Sequence, residues 1–480
     1  MKKIAVSLLA AVLGFSPAAV AQQREELGDI CTGELGAKIE AIANRPEFSR
    51  SRWGISIQSL SSGAIIYSRD AQKYFIPASN VKLLTTAAAL LKLGANFRIR
   101  TVVYGGENNN LYVVGRGDPS LGGTQLKSLV QQLQQRGISQ VNELIGDDSY
   151  FQGNAINPNW EWEDAQAGYG APINSLMFDR NAIELILAPQ SIGQPLKVTF
   201  AEPSLTNQWQ IQNNSVTVRQ NEREFVEVGR EFDRPLIRVS GQLRVGAESE
   251  PVYVAVVNPA SNFLQRFQQI LAAAGIKVDR SSIASNSRNF TQELAAVESP
   301  PMAELIKETN RESDNVYAEV LLRLLGKATG KTPAPQSDSS DIGLQELKTV
   351  LTQLGVNPNS YILADGSGLS RHNSVSPEAL VQTLRLMANS SVAAVYRASL
   401  PVGGESGTLK NRFNTTSNRV ILQAKTGTLS GVSALSGYVE SPNYEPLAFS
   451  IVVNQSDQQS AKLRGEIDEI VLLLNRLRHC

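Results

Sequence analysis

Pro77-Ala78-Ser79-Asn80-Val81-Lys82-Leu83-Leu84-Thr85-Thr86-Ala87-Ala88-Ala89-Leu90 carries a serine and a lysine three residues apart at the mouth of an apolar run. The alanine- and leucine-rich stretch predicts a helix that ends near Gly94. On a helix, positions i and i+3 share a face with Cβ atoms about 5–6 Å apart, so the two side chains can meet. No second Ser-x-x-Lys occurs in the chain. At a helix start, free backbone N–H groups and the dipole favour developing negative charge. An ordinary lysine is protonated at neutral pH. Burial beside Val81, Leu83 and Leu84, or a neighbouring cation, favours the neutral form a base needs. A four-residue match of this kind arises about once by chance in a chain this long. The plain alternative is a solvated helix lysine.

The flanks of this helix and the far end of the chain read as one pattern. Leu35, Ile39 and Ile42 share a helical face, and strands are expected over 53–59 and 64–68 around the Ser61-Ser62-Gly63 turn. Further strands are expected over 419–424, 433–439 and 447–453. The Lys425-Thr426-Gly427 segment and Ser441-Pro442-Asn443 are read as the turn-forming separators. A last helix over 461–477 puts Ile467, Ile470, Val471 and Leu474 on one face. Both termini therefore contribute to one antiparallel sheet covered by helices, an α+β class. Between them, 101–289 has short strand candidates (111–115, 182–187, 196–200, 215–219, 236–239 and 252–256) separated by polar turns. This reads as an inserted β-rich region, 101–184 and 253–289, with a smaller unit nested at 185–252. Residues 22–100 and 290–480 form the remaining domain. Helical patterning returns over 302–325, followed by a polar loop over 330–340.

Residues 1–21 read as a secretory signal: Lys2 and Lys3, an apolar run over 4–15, then Ala19-Val20-Ala21. The run is well short of the ~20 residues a membrane span needs. A secreted or periplasmic protein without a transmembrane anchor is expected. Export puts Cys31 and Cys480 in an oxidising compartment, where a disulfide and two free thiols are both open. Lys+Arg and Asp+Glu tie at 45 each, which leaves no electrostatic footprint for nucleic acid. The two histidines are far from each other, as are the two cysteines, without the spacing of a metal site, so no metal and no cofactor is expected. A Ser-His-Asp arrangement would need His372 or His479, and no Gly-x-Ser-x-Gly elbow accompanies either. A serine with a lysine base remains.

Nucleophilic catalysis also needs a proton path and donors for the oxyanion. Ser313-Asp314-Asn315 falls between helical stretches and offers a hydroxyl and an amide, although Ser-x-Asn recurs from Ser287 and Ser441. Lys425-Thr426-Gly427 occurs once, closing a strand. There the lysine can attract a carboxylate, the threonine can hydrogen-bond it, and the glycine admits a substrate backbone. All three elements in order make coincidence improbable.

Ser79-x-x-Lys82, Ser313-Asp314-Asn315 and Lys425-Thr426-Gly427 form the set shared by penicillin-binding proteins and serine β-lactamases. The wide gap from Ser79 to Ser313 resembles the class C low-molecular-mass penicillin-binding proteins, the DD-carboxypeptidase/DD-endopeptidase (DacB-type) family. Gly115-Arg116-Gly117-Asp118-Pro119, Trp160-Glu161-Trp162 and Asp365-Gly366-Ser367-Gly368-Leu369-Ser370-Arg371 look similar too. The resemblance implies a serine β-lactamase/DD-peptidase-like transpeptidase domain, with extra domains inserted after the nucleophile helix. It implies that Ser79 forms the acyl-enzyme, Lys82 is the base and Ser313 relays a proton to the leaving amine. Asn315 would bind the peptide, and Lys425 and Thr426 the terminal D-Ala carboxylate. The N–H groups of Ser79 and of Thr428, next to Gly427, would form the oxyanion hole. Arg371 would contact the diamino acid side chain, a surface arginine being the plain alternative. Asp147 would contribute from the insert, with Asp148 fitting nearly as well. Peptidoglycan stem peptides are then the substrates and β-lactams covalent inhibitors, while trimming, cross-link cleavage and oligomeric state stay open. A β-lactamase is the rival enzyme, but no Glu-x-x-x-Asn follows Ser313, and the long insert argues against it. A non-catalytic scaffold is the other rival, and it would have no need of Ser79, Lys82, Ser313 and Lys425 together.

Overall fold

The computed structural model describes residues 29–206, 208–284, 292–330, 338–414 and 420–480. The export signal expected over 1–21, most of the polar loop over 330–340 and the border at 289–290 lie outside these residues. Two compact units emerge, one holding Lys92–Leu305 and Asn315–Glu346. The other holds the described residues up to Leu91, with Ile306–Asp314 and Leu347–Cys480.

The unit with both termini is built on a five-stranded sheet, in the order Ile421–Leu429, Val432–Ser441, Tyr444–Asn454, Arg52–Ser59, Ile65–Arg69. Every neighbouring pair is antiparallel. Alternation along each strand sorts the side chains by face. Trp53, Ile55, Ile57, Leu435, Val439 and Ile451 pack with Leu35 and Ile39 of the helix Thr32–Ala43. Ile467, Ile470 and Leu474 of the helix Ser460–Asn475 complete that core. The opposite face carries a row of direct cross-strand neighbours: Lys425, Ser436, Ser450, Ser56 and Ser68. Small hydroxyl side chains let the nucleophile turn lie close to the sheet and give its polar groups partners. Asn80 Nδ2 donates to Ser436 Oγ at 2.8 Å, and Ser436 Oγ is 2.9 Å from Ser450 Oγ. The helix Pro377–Ala388 lies against the strands Arg52–Ser59 and Tyr444–Asn454 on this side.

One local expectation is overturned. Lys425-Thr426-Gly427 is not a separator: it lies inside the strand Ile421–Leu429, paired with Ser436, Leu435 and Ala434. The turn comes at Ser430-Gly431 instead. Lys425 and Gly427 face one side of this strand and Thr426 the other, so the glycine extends the alternation rather than ending it. The chain ends also close on each other. Ile30–Cys31 pairs in parallel with Leu477–Arg478, and Cys31 and Cys480 form a disulfide with Cα atoms 5.6 Å apart.

Among the described residues, the other unit contains three sheets. A five-stranded sheet runs Lys277–Ala284, Gln140–Asp147, Leu111–Val114, Arg100–Gly105, Glu293–Glu298, with its first three strands parallel. Two helices, Gly123–Gln135 and Pro259–Ala273, bury Leu126, Leu129, Leu133, Phe263 and Phe267 in its core. Two three-stranded sheets between Ala182 and Ala255 share a separate core around Leu185, Leu187, Ile237 and Val239. The inserted region is thus β-rich as read, with two helices that the reading did not include.

Candidate active site

The site starts at a strained turn. Ala78 adopts φ +49° as the first residue of the short 3-10 turn Ala78–Asn80, which runs directly into the helix Val81–Leu93. A left-handed non-glycine residue costs of order 1–3 kcal/mol and persists only where surrounding packing holds it. Here Gly368 helps to hold it. Gly368 has φ +83°, and a Cβ there would collide with the Ala78 carbonyl. Gly427 approaches from the strand, where a side chain would reach Pro77 O at 2.7 Å and Ser79 N at 3.2 Å.

Ser79 is half-buried at this turn, and Lys82 is fully buried one helical turn on. Lys82 Nζ lies 3.0 Å from Ser79 Oγ and donates to Ser367 O at 2.6 Å. The Asp365–Ser370 loop is folded around its own carboxylate. Asp365 accepts from Gly368 N at 2.7 Å, Ser370 N at 2.6 Å and Asn373 Nδ2 at 2.8 Å. Thr85 Oγ1 donates to Gly366 O at 2.7 Å and ties the loop to the helix. The loop thereby aims one carbonyl at the lysine.

The second pair lies in the same unit. Lys425, also fully buried, donates from Nζ to Ser313 Oγ and to Thr426 O, both at 2.8 Å. Ser313 has φ +59° in the break between the helices Met302–Arg311 and Asn315–Lys327. Thr426 Oγ1 is 2.7 Å from Thr408 Oγ1. Thr428 sits exposed on the strand, and Arg371 donates from Nη1 to Ser430 O at 3.1 Å. This arrangement can move a proton off one hydroxyl, relay another, and hold an anion beside an ammonium group.

Asn315 and Asp147 belong to the other unit. Asn315 opens its helix and donates from Nδ2 to Tyr169 O at 3.1 Å, and Tyr169 in turn donates to Asp164 Oδ1 at 2.9 Å. Asp147 is buried and accepts from Ser149 N at 2.9 Å. Asp148 accepts from Asn174 Nδ2 and from the backbone of Ser175 and Leu176. Burial pushes the Asp148 carboxyl up against these hydrogen bonds. The residues missed from sequence are Thr408, Asp164 and Tyr169. Tyr169 was within reach, seven residues after the Trp160-Glu161-Trp162 stretch already singled out. Nothing local marked Thr408.

The model of the D-Ala-D-Ala carboxypeptidase 3 (S13) family matches residues 35–477. The chain is 33% identical over 443 residues to a D-alanyl-D-alanine carboxypeptidase from Actinomadura sp. (strain R39), covering 88% of this chain and 81% of the relative. The crystal structure of penicillin binding protein 4 (dacB) from Haemophilus influenzae superposes with a TM-score of 0.78 at 26% identity, covering 91% of this chain and 98% of that one. The same protein complexed with a β-lactam matches at a TM-score of 0.73 and 25% identity, covering 92% and 98%. Ser79-x-x-Lys82, Ser313-Asp314-Asn315 and Lys425-Thr426-Gly427 all fall within the matched span, and the chain belongs to the D-Ala-D-Ala carboxypeptidase 3 (S13) family of serine hydrolases.

Proposed function

We propose that this chain is an exported, penicillin-sensitive enzyme that hydrolyses D-Ala–D-Ala ends and D-Ala–diamino acid cross-links of peptidoglycan through an acyl-enzyme on Ser79. The observation that carries the proposal is the fully buried Lys82 Nζ, 3.0 Å from Ser79 Oγ. In its neutral form Lys82 takes the hydroxyl proton as Oγ attacks the penultimate D-Ala carbonyl carbon. The N–H groups of Ser79 and Thr428 receive the oxyanion. Collapse breaks the C–N bond, and the proton passes from Lys82 through Ser313 to the leaving amine. Neutral Lys82 then takes a proton from the water that attacks the ester carbonyl, and returns it to Oγ as the acyl–Oγ bond breaks. Lys425 and Thr426 hold the terminal carboxylate, and Asn315 the peptide backbone. Arg371 serves the diamino acid, and Asp147 contributes from the insert.

The proposed domain division keeps the inserted and nested units of the sequence reading. Its second border is moved beyond Glu298, because Glu293–Glu298 pairs with Arg100–Gly105 in the inserted sheet. Export and a periplasmic location are part of the proposal; among the described residues no helix is long and apolar enough to cross a membrane.

Fluorescent penicillin tests the mechanism. The wild-type protein should be labelled slowly and stoichiometrically, and Ser79→Ala should abolish labelling. Labelling that survives in Ser79→Ala removes the nucleophile assignment, and rapid penicillin turnover favours a β-lactamase. Defined muropeptides, with the products separated, then read the balance of trimming and cross-link cleavage.

A further inference from the structure

One hydroxyl at the carboxylate end of this site has no place in the mechanism above. Thr408 lies in the short 3-10 turn Gly407–Leu409, and its Oγ1 accepts from Thr426 Oγ1 at 2.7 Å. The turn is held at three points. Gly404 N donates to Leu409 O at 3.1 Å, and the Leu409 side chain is fully buried in the core of the sheet. Gly407, at φ +57°, packs so closely on the Arg311 carbonyl that a Cβ would collide with it. Arg311 ends the helix two residues before Ser313, so the segment that presents Thr408 also braces the approach to Ser313.

A threonine hydroxyl has one proton to give, and an ionised carboxylate only accepts. If Thr426 gives its proton to Thr408, it turns lone pairs toward an incoming carboxylate. Thr426 can donate to the substrate only when Thr408 donates into Thr426. Resting on the proposed site, we propose that Thr408 is a positioning residue for carboxylate recognition. On carboxylate binding its hydroxyl donates to Thr426 Oγ1, reversing the donation from Thr426 to Thr408 seen in this structure, and directs the Thr426 proton at the substrate. Donors arranged in series polarise one another, so the contact with the charged carboxylate gains from the one behind it.

The test is the rate of Ser79 acylation by benzylpenicillin and by its methyl ester, which lacks the anionic carboxylate, in wild type, Thr408→Val, Thr408→Ala and Thr408→Ser. Melting temperatures confirm that each preparation is folded. Thr408→Val and Thr408→Ala should slow the carboxylate form on the order of tenfold and leave the ester within about twofold, while Thr408→Ser restores the wild-type ratio. Equal losses for acid and ester, or no loss for either, overturn the proposal, because a purely structural role does not distinguish the two. A wild-type protein that penicillin never acylates overturns the proposed function, and this inference with it.

Discussion

Two fully buried lysines, Lys82 and Lys425, face serine hydroxyls at nearly the same distance, 3.0 and 2.8 Å. Their other partners differ. Lys82 also donates to the Ser367 carbonyl of a loop built for it, whereas Lys425 also donates to the carbonyl of its neighbour Thr426. In the unit that holds the inserted sheets, Asp118 is the buried acid with a readable cost. It is 2% exposed, Oδ1 accepts from Ser120 N and Oγ, and Oδ2 is buried without a hydrogen-bond partner. Desolvation pushes its carboxyl up to about 6, against the lowering effect of Ser120. Because the folded value lies above the unfolded one, the folded state holds the proton more tightly. This group therefore lowers stability as pH rises from about 4 to 6, and its effect is constant above that. Asp118→Asn keeps the Oδ1 acceptor and removes the charge. It should gain on wild type across that window, by up to about 3 kcal/mol at pH 7.5. Denaturant unfolding at pH 4.5 and 7.5 checks this; a pH-independent difference refutes it.

At the scale of elements, the helix Asn315–Lys327 shows how the segment after Ser313 is fixed. Glu319 and Arg323, one turn apart and 0% and 2% exposed, form an ion pair at 3.5 Å. Arg323 Nη2 donates to Asn154 O at 3.0 Å, and burial pulls its guanidinium down while Glu319 opposes that. Removing one partner of a buried pair strands the other charge. Glu319→Ala should cost about 3–5 kcal/mol by denaturant midpoint, more than removing an exposed pair such as Arg100 with Glu298. A loss below about 1 kcal/mol would show that Arg323 is satisfied by other groups. The Asp365–Ser370 loop offers a second check. Gly368→Ala forces a side chain against the Ala78 carbonyl and should slow penicillin acylation at least tenfold, since the carbonyl facing Lys82 moves with it. An unchanged acylation rate would show that the loop yields without moving Ser367.

Across the whole molecule, this serine D-Ala-D-Ala carboxypeptidase closes its chain on itself. The disulfide joins residues 449 apart and staples the parallel bridge of Ile30–Cys31 with Leu477–Arg478. A cross-link stabilises chiefly by restricting the unfolded chain. Cys31→Ser with Cys480→Ser should lower stability by about 2–4 kcal/mol in calorimetry, with penicillin acylation retained. Loss of acylation in the folded variant would tie the bridge to the site. The nucleophile helix, the terminal sheet and the three motifs were legible because each is local: a three-residue spacing, an alternation, a turn. Lys425-Thr426-Gly427 was misplaced as a separator because glycine is a turn signal by itself, and only the pairing with Val432–Ser441 makes it strand. The strand Lys277–Ala284 has mostly exposed side chains, so no alternation marked it; its partner Gln140–Asp147 alone defines it. The helix Gly123–Gln135 did carry an apolar stripe, Leu126, Leu129, Val130 and Leu133, beneath its glutamines. The sequence by itself determined the chemistry, because a serine, its lysine and the two companion motifs are written in short spacings. Tertiary structure alone decided which carbonyl faces Lys82, which hydroxyl meets Thr426 and whether the cysteines pair, because each joins residues that only folding brings together.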